Sequence, residues 1–149
     1  MTKGVIRLPE DDDFDPTSLP ALKAVCDRFR ASGIEPLIVE PLPNSLHDHI
    51  KSGDGMRDES IEKFTKLLAN LREVGITTVC FNFMAHYGWT RTSNELPERG
   101  GSLVTGFRSD DFEDDGFVLT AKKLRENFDY FIRAALPEAE KAGVRLALH

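Results

Sequence analysis

The sequence predicts an α/β fold, the N-terminal half of a (βα)8 TIM barrel with about four parallel strands and three helices. Residues 1–149 are expected to form one partial domain that stops after its fourth strand. Two observations predict this. First, an amphipathic helix, a glycine and a short apolar run recur three times: Ser32-Gly33-Ile34 before Pro36-Leu37-Ile38-Val39, Val74-Gly75-Ile76 before Thr77-Thr78-Val79-Cys80-Phe81, and Ala142-Gly143-Val144 before Leu146-Ala147-Leu148. A glycine just past a helix supplies the left-handed residue that ends it, and an unbroken apolar run suits a strand buried on both faces, as in a parallel sheet. Second, the last apolar run ends on His149 with no helix after it to cover a central strand. That points to a barrel cut or split at its middle. A complete four-stranded, doubly wound domain is the alternative.

Each element follows in order. Gly4 to Leu8 reads as the first strand, and the apolar runs at 35–40, 77–83 and 144–149 as the other three. Between them, Leu19, Leu22, Val25, Cys26 and Phe29 share one helical face; so do Ile61, Phe64, Leu67, Leu68 and Leu71, and then Leu124, Phe128, Phe131, Ile132 and Ala135. Asp15-Pro16, Asp58-Glu59 and Thr120 are the expected helix starts, and Pro137 is expected to kink or break the third helix. The order β-α-β-α-β-α-β calls for parallel strands joined by right-handed helical crossovers.

Composition narrows the function. Apolar residues at 40% and charged residues at 30% belong to a folded domain. No run approaches a membrane span, and the N-terminus lacks a basic-then-apolar leader. The net charge of −6 disfavours nucleic acid and anionic membranes as partners. Cys26 and Cys80 have neither disulfide nor zinc spacing, which suits a reducing cytoplasm. No GxGxxG, P-loop, GxSxG or HExxH pattern occurs.

In parallel α/β folds the chemistry gathers at the carboxyl ends of the strands. All four histidines fall on that side: His47 and His49 after the second strand, His86 after the third, His149 at the end of the fourth. His47 and His49 flank Asp48 in what reads as a solvated loop. His86 and Tyr87 are either substrate contacts or loop packing. Arg91 beside Trp89 either holds a carboxylate or pairs with Glu95 or Glu98. His149 ends an apolar strand, where an imidazole is either a ligand for a divalent metal or an ordinary strand-end residue. The connection from Met84 to Val118, roughly 35 residues, exceeds the usual loop length and is expected to close over a substrate or meet another subunit, its acidic part at 109–116 either joining in or lying disordered.

The residues also resemble a family. Asn82-Phe83-Met84 with Trp89-Thr90-Arg91-Thr92, and Leu124-Arg125-Glu126-Asn127-Phe128 leading to Gly143-Val144-Arg145-Leu146-Ala147-Leu148-His149, resemble the mannonate dehydratases of the xylose-isomerase-like barrel superfamily. His47-Asp48-His49-Ile50-Lys51, the helix from Ile61, and Gly75 to Cys80 are similar too, so the resemblance runs from about residue 34 to the end. It departs at Ala85 and Gly88, where well-known members carry Pro and Asp, at the loop Arg99 to Thr105, and in length, since members are more than twice as long. The resemblance implies a hydro-lyase that converts D-mannonate to 2-keto-3-deoxygluconate and water in hexuronate catabolism, with Mn²⁺ or Fe²⁺ as cofactor. It implies that the first metal-binding histidine is His149. The remaining ligands and the catalytic His and Tyr lie in the half this chain does not span, so no catalytic residue is assigned here. Loop position and side-chain chemistry add Arg91 for the sugar-acid carboxylate and Asn82, His86 and Trp89 as further substrate contacts. On this account the chain alone lacks activity. A sugar isomerase or epimerase on the same barrel and a non-catalytic half-barrel remain alternatives, and assembly with further copies is left open.

Overall fold

In the computed structural model, which describes residues 2–11, 13–86 and 88–149, the elements in chain order are strand β1 (Thr2–Ile6), helix α1 (Leu19–Ala31), β2 (Ile34–Val39), a short helix α2 (Asp48–Ser52), α3 (Arg57–Glu73), β3 (Thr78–Phe81), a hairpin of β4 (Ser93–Pro97) and β5 (Leu103–Gly106), α4 (Ala121–Ala142) and β6 (Arg145–Leu148). The sheet order is β1-β2-β3-β6, all parallel, as the recurring pattern predicts. The three pattern glycines, Gly33, Gly75 and Gly143, have φ of 80°, 84° and 67°, a region a Cβ disfavours.

Register explains the layering. Ile6 pairs with Val39, Val39 with Val79 and Val79 with Leu146, and paired residues of parallel strands point to one face. Ile6, Val39 and Val79 are buried in a single cluster with Leu22, Val25 and Cys26 of α1, Phe64, Leu67, Leu68 and Leu71 of α3, and Phe131, Ala135 and Ala139 of α4. The long helices therefore cover one face. The other face, where Val5 and Arg145 are exposed, is the one a closed barrel would turn inward.

At the centre Phe64, Phe81 and Phe131 meet edge to face, with centroids 5.0 to 6.4 Å apart, and Phe83 packs on Phe128 at 5.0 Å. This geometry suits the ring quadrupoles. It pins the carboxyl end of β3 to α3 and α4, and so fixes where the loop after β3 begins. On the opposite flank Arg30 donates to both oxygens of Glu35 and, through its second nitrogen, to the Val74 carbonyl at 2.6 Å, tying α1 to β2 and to the end of α3.

Three expectations need correction. Helix α1 starts at Leu19 because Ser18 caps it, accepting from the Ala21 N–H, and Pro20 sits in the first turn where its missing N–H is harmless. The Asp15 carboxylate instead accepts from the Thr17 N–H and hydroxyl in a local turn. Pro137 does not break α4, which runs on to Ala142: Pro137 and Arg133, whose carbonyl loses a donor, both face solvent, while Ala135 and Ala139 stay in the core. The inner stripe of α4 is also rotated from the apolar set. Asn127 is buried and donates to the Lys51 carbonyl at 2.8 Å, while Leu124, Phe128 and Ile132 are half-buried.

The long connection is not a bare loop. It carries the antiparallel hairpin β4-β5, with Gly100 and Gly101 at φ of 76° and 80° in its turn and the Glu98 N–H donating to Ser102 at 2.8 Å. The Gly101 N–H donates to the Glu98 carbonyl at 3.2 Å, closing a turn whose third residue, Gly100, takes the positive φ that favours glycine. The acidic part begins with a 3-10 turn at Ser109–Asp111.

Candidate functional site

The carboxyl end of the sheet holds a cavity of about 200 Å³ lined by Arg7, Glu40, Pro41, Cys80, Phe81, Asn82, Trp89 and His149. Each strand contributes the residues at or just past its end. Arg7 follows β1, Glu40 follows β2, Asn82 follows β3 and His149 follows β6. His149 is held by its own backbone, donating its N–H to the Phe81 carbonyl at 2.8 Å, which continues the β3-β6 ladder by one residue. Its ring lies 5.4 Å from that of Trp89, tilted by 59°.

Asn82 is 2% exposed and anchored. Its amide donates to Asn44 Oδ1 at 3.3 Å, and its Oδ1 accepts the Met84 N–H at 3.2 Å, which turns the chain as it leaves β3. Asn44 Oδ1 also accepts from Lys51 Nζ at 3.0 Å, and Lys51 reaches Asp48 at 3.1 Å. The loop after β2 thus braces the loop after β3. Burial pulls the Lys51 ammonium below its usual pKa, against the pull of Asp48.

His47 belongs to this brace and not to solvent, so the expectation of a solvated loop is corrected for it. It is 1% exposed, with Nδ1 3.1 Å from the Pro43 carbonyl and 3.2 Å from that of Asn44. Both neighbours are acceptors, so Nδ1 carries the proton. Nε2 is buried with no hydrogen-bond partner among the described residues. Burial, reinforced by the nearby Lys51 charge, lowers the His47 pKa to about 4. His49 is exposed on α2 and pairs with Asp54 at 2.8 Å.

Two of the substrate residues expected from sequence stand apart from the cavity. His86 Nε2 lies 2.6 Å from Asp115, and its ring stacks on Phe117 at 4.2 Å, joining the loop after β3 to the acidic segment. Arg91 donates to Thr105 Oγ1 at 3.1 Å and to the Thr90 carbonyl at 3.0 Å, and it lines a neighbouring depression with Trp89, Phe107 and Phe112. Among the described residues neither Glu95 nor Glu98 pairs with it. Tyr87 lies outside the described residues. The sequence reading placed Glu40 at the carboxyl end of the second strand but assigned no role to it, to Arg7 or to Cys80. Their signal is position alone: each sits on the alternate pleat from a core residue, at the carboxyl edge of its strand.

The donor set does not fit a complete metal site on its own. Among the described residues no three His, Cys, Asp or Glu side chains are grouped to hold an ion. Cys80 lines the cavity, and burial, then the Glu40 carboxylate beside it, push its thiol upward. His149 offers one imidazole of the roughly four to six ligands such an ion takes.

Four parallel strands in sequence order, helices on one face and strand-end residues round one cavity define three βα units and the fourth strand of a (βα) barrel fold. Comparison with known proteins makes this particular. The family model of D-mannonate dehydratase (UxuA) matches residues 15–118, and the chain belongs to that family. It is similar to the mannonate dehydratase of Streptococcus equi subsp. zooepidemicus (strain MGCS10565), 32% identical over 147 residues that cover 80% of this chain and 40% of that protein. It is 28% identical to the mannonate dehydratase of Lactococcus lactis subsp. cremoris (strain MG1363) over 162 residues, covering 86% and 45%. The fold matches the crystal structure of mannonate dehydratase from Streptococcus suis serotype 2 with a TM-score of 0.77 at 24% identity, across all of this chain and 53% of that one. A xylose isomerase domain protein from Planctomyces limnophilus shares the fold at a TM-score of 0.51 and 10% identity, covering 98% and 43%. The chain spans about half the length, or less, of the relatives it matches. Among the described residues no helix is long and apolar enough to cross a membrane.

Proposed function

We propose that this chain forms the first half of a D-mannonate dehydratase site, in which D-mannonate loses its C2 proton and C3 hydroxyl to give 2-keto-3-deoxygluconate and water. The observation that carries the reading is the convergence of Trp89, from the loop after β3, and His149, from the end of β6, on one cavity in a chain of this family. The C2 proton is weakly acidic because the adjacent carboxylate is already anionic, so the reaction needs positive charge near the carboxylate as well as a base and an acid. A divalent Mn²⁺ or Fe²⁺ ion would supply Lewis acidity. His149 would hold it as one ligand, and the family resemblance puts the others in the half that this chain does not span. Asn82 and Trp89 form the wall of the substrate pocket. Arg91 and His86, engaged with Thr105 and Asp115, hold the hairpin and the acidic segment at its rim. Two free cysteines are in keeping with a reducing, cytoplasmic setting.

The isomerase or epimerase alternative rests on Ala85 and Gly88, which remove a loop acid beside the pocket. The test is to join this chain to the complementary half of the Streptococcus suis enzyme and supply Mn²⁺ with D-mannonate in one arm and an aldose in the other. Formation of 2-keto-3-deoxygluconate supports the lyase. Interconversion of the aldose without dehydration replaces it with the isomerase.

A further inference from the structure

We propose that Arg7 receives the carboxylate of the substrate and makes the cavity selective for a sugar acid over the corresponding neutral polyol; this rests on the sugar-acid reading above. Arg7 follows β1 and lies between Ile6 and Leu8, both buried on the helix side, so the pleat turns it toward the opposite face. It lines the cavity with Glu40, Trp89 and His149, and no other Lys or Arg is among the lining residues.

Among the described residues its guanidinium also makes no hydrogen bond or ion pair. Arg30, Arg57 and Arg108 are engaged by Glu35, Asp58 and Asp111, Arg91 by Thr105, and Arg145 by Thr78. Arg7 borders a second depression with Glu10 and Asp11, yet among the described residues no carboxylate comes within ion-pair distance of it. A guanidinium presents a planar fork that matches a carboxylate with two parallel hydrogen bonds. Glu40, across the same cavity, repels an anion and accepts from hydroxyls. The two charges therefore orient a polyhydroxy acid, with its carboxylate on Arg7 and its hydroxyl chain toward Glu40 and His149.

Trp89 is the sole tryptophan and lines the cavity, so its emission reports binding. Sodium D-mannonate, sodium D-glycerate and neutral D-mannitol are titrated into dilute chain and into Arg7→Gln, Arg7→Lys and Arg91→Gln variants. The expected result is that both anions change the emission, Arg7→Gln weakens both about tenfold or more, Arg7→Lys recovers part of the loss, and Arg91→Gln and D-mannitol show no such dependence. D-mannonate binding to Arg7→Gln as tightly as to the parent overturns the assignment and leaves the sugar-acid reading standing. D-glycerate acting through Arg7 while D-mannonate has no effect keeps the carboxylate subsite and removes the sugar acid. No response to either anion overturns both.

Discussion

The imidazole of His149 and the indole of Trp89 approach to 5.4 Å between ring centroids, although sixty residues of chain separate them. One comes from the end of the last strand and the other from the loop after β3, so their contact joins two of the segments that line the cavity. Trp89 is half-exposed, and the imidazole covers part of it. Replacing His149 with alanine should shift Trp89 emission to longer wavelength and increase its quenching by iodide. An unchanged spectrum would place the two rings apart in solution.

His47 makes the fold sensitive to acid. Its pKa is about 4 in the fold, against roughly 6.5 when the chain is unfolded. Between those values the unfolded chain takes up a proton that the folded chain refuses. Stability is therefore complete above about pH 6.5 and falls as pH drops toward 4, by up to about 3 kcal/mol from this residue. Urea denaturation at pH 7 and pH 5 should show a smaller loss in His47→Gln than in the parent. Equal losses would mean that the imidazole is solvated.

Much of the fold was legible because helices and parallel strands write their burial into sequence period. Ile61, Phe64, Leu67, Leu68 and Leu71 form the buried stripe of α3 as their spacing predicts. The hairpin was not read, because its strands are short and lie mostly exposed, leaving Gly100-Gly101 as the only strong cue. In α4 the predicted face does meet the core through Phe131, Ala135, Phe128 and Ile132, but the buried stripe also takes in Asn127, which looks like a surface residue until its partner, the Lys51 carbonyl, is known. The site was less legible than the fold. Arg91 and His86 have the right chemistry, but their partners Thr105 and Asp115 lie 14 and 29 residues away, and only the folded loop shows those pairings. Arg7 looked like an ordinary strand residue until the sheet put it opposite Glu40.

Phe131 touches Phe64, Phe81 and Phe83 and is fully buried. Phe131→Ala leaves a cavity under the end of β3 and should cost about 3–5 kcal/mol. That is a large share of the roughly 5–15 kcal/mol of a typical domain. Thermal unfolding followed by circular dichroism should show a midpoint lower by many degrees. A shift of only a degree or two would mean that the aromatic cluster is not the centre of the core.

Among the described residues the outer edges of β1 and β6 carry no strand partner in the sheet, and Val5 and Leu148 on these strands are more than half exposed. Unpaired edges recruit other chains. Light scattering across a concentration series should show association that grows with concentration. A monomer with cooperative unfolding at every concentration would contradict the half-barrel description and favour a self-sufficient four-stranded domain.

We propose His149 as a metal ligand in a D-mannonate dehydratase barrel, and dehydration of D-mannonate with Mn²⁺ supplied tests this most directly. The 149-residue chain should form no 2-keto-3-deoxygluconate, since it groups no set of three metal-binding side chains among its described residues. Completed with the remaining half of a relative, it should become active and lose that activity on His149→Ala, because removing a ligand loosens the ion and its Lewis acidity together. Full activity in the completed His149→Ala protein, or turnover by the 149-residue chain itself, would contradict the account.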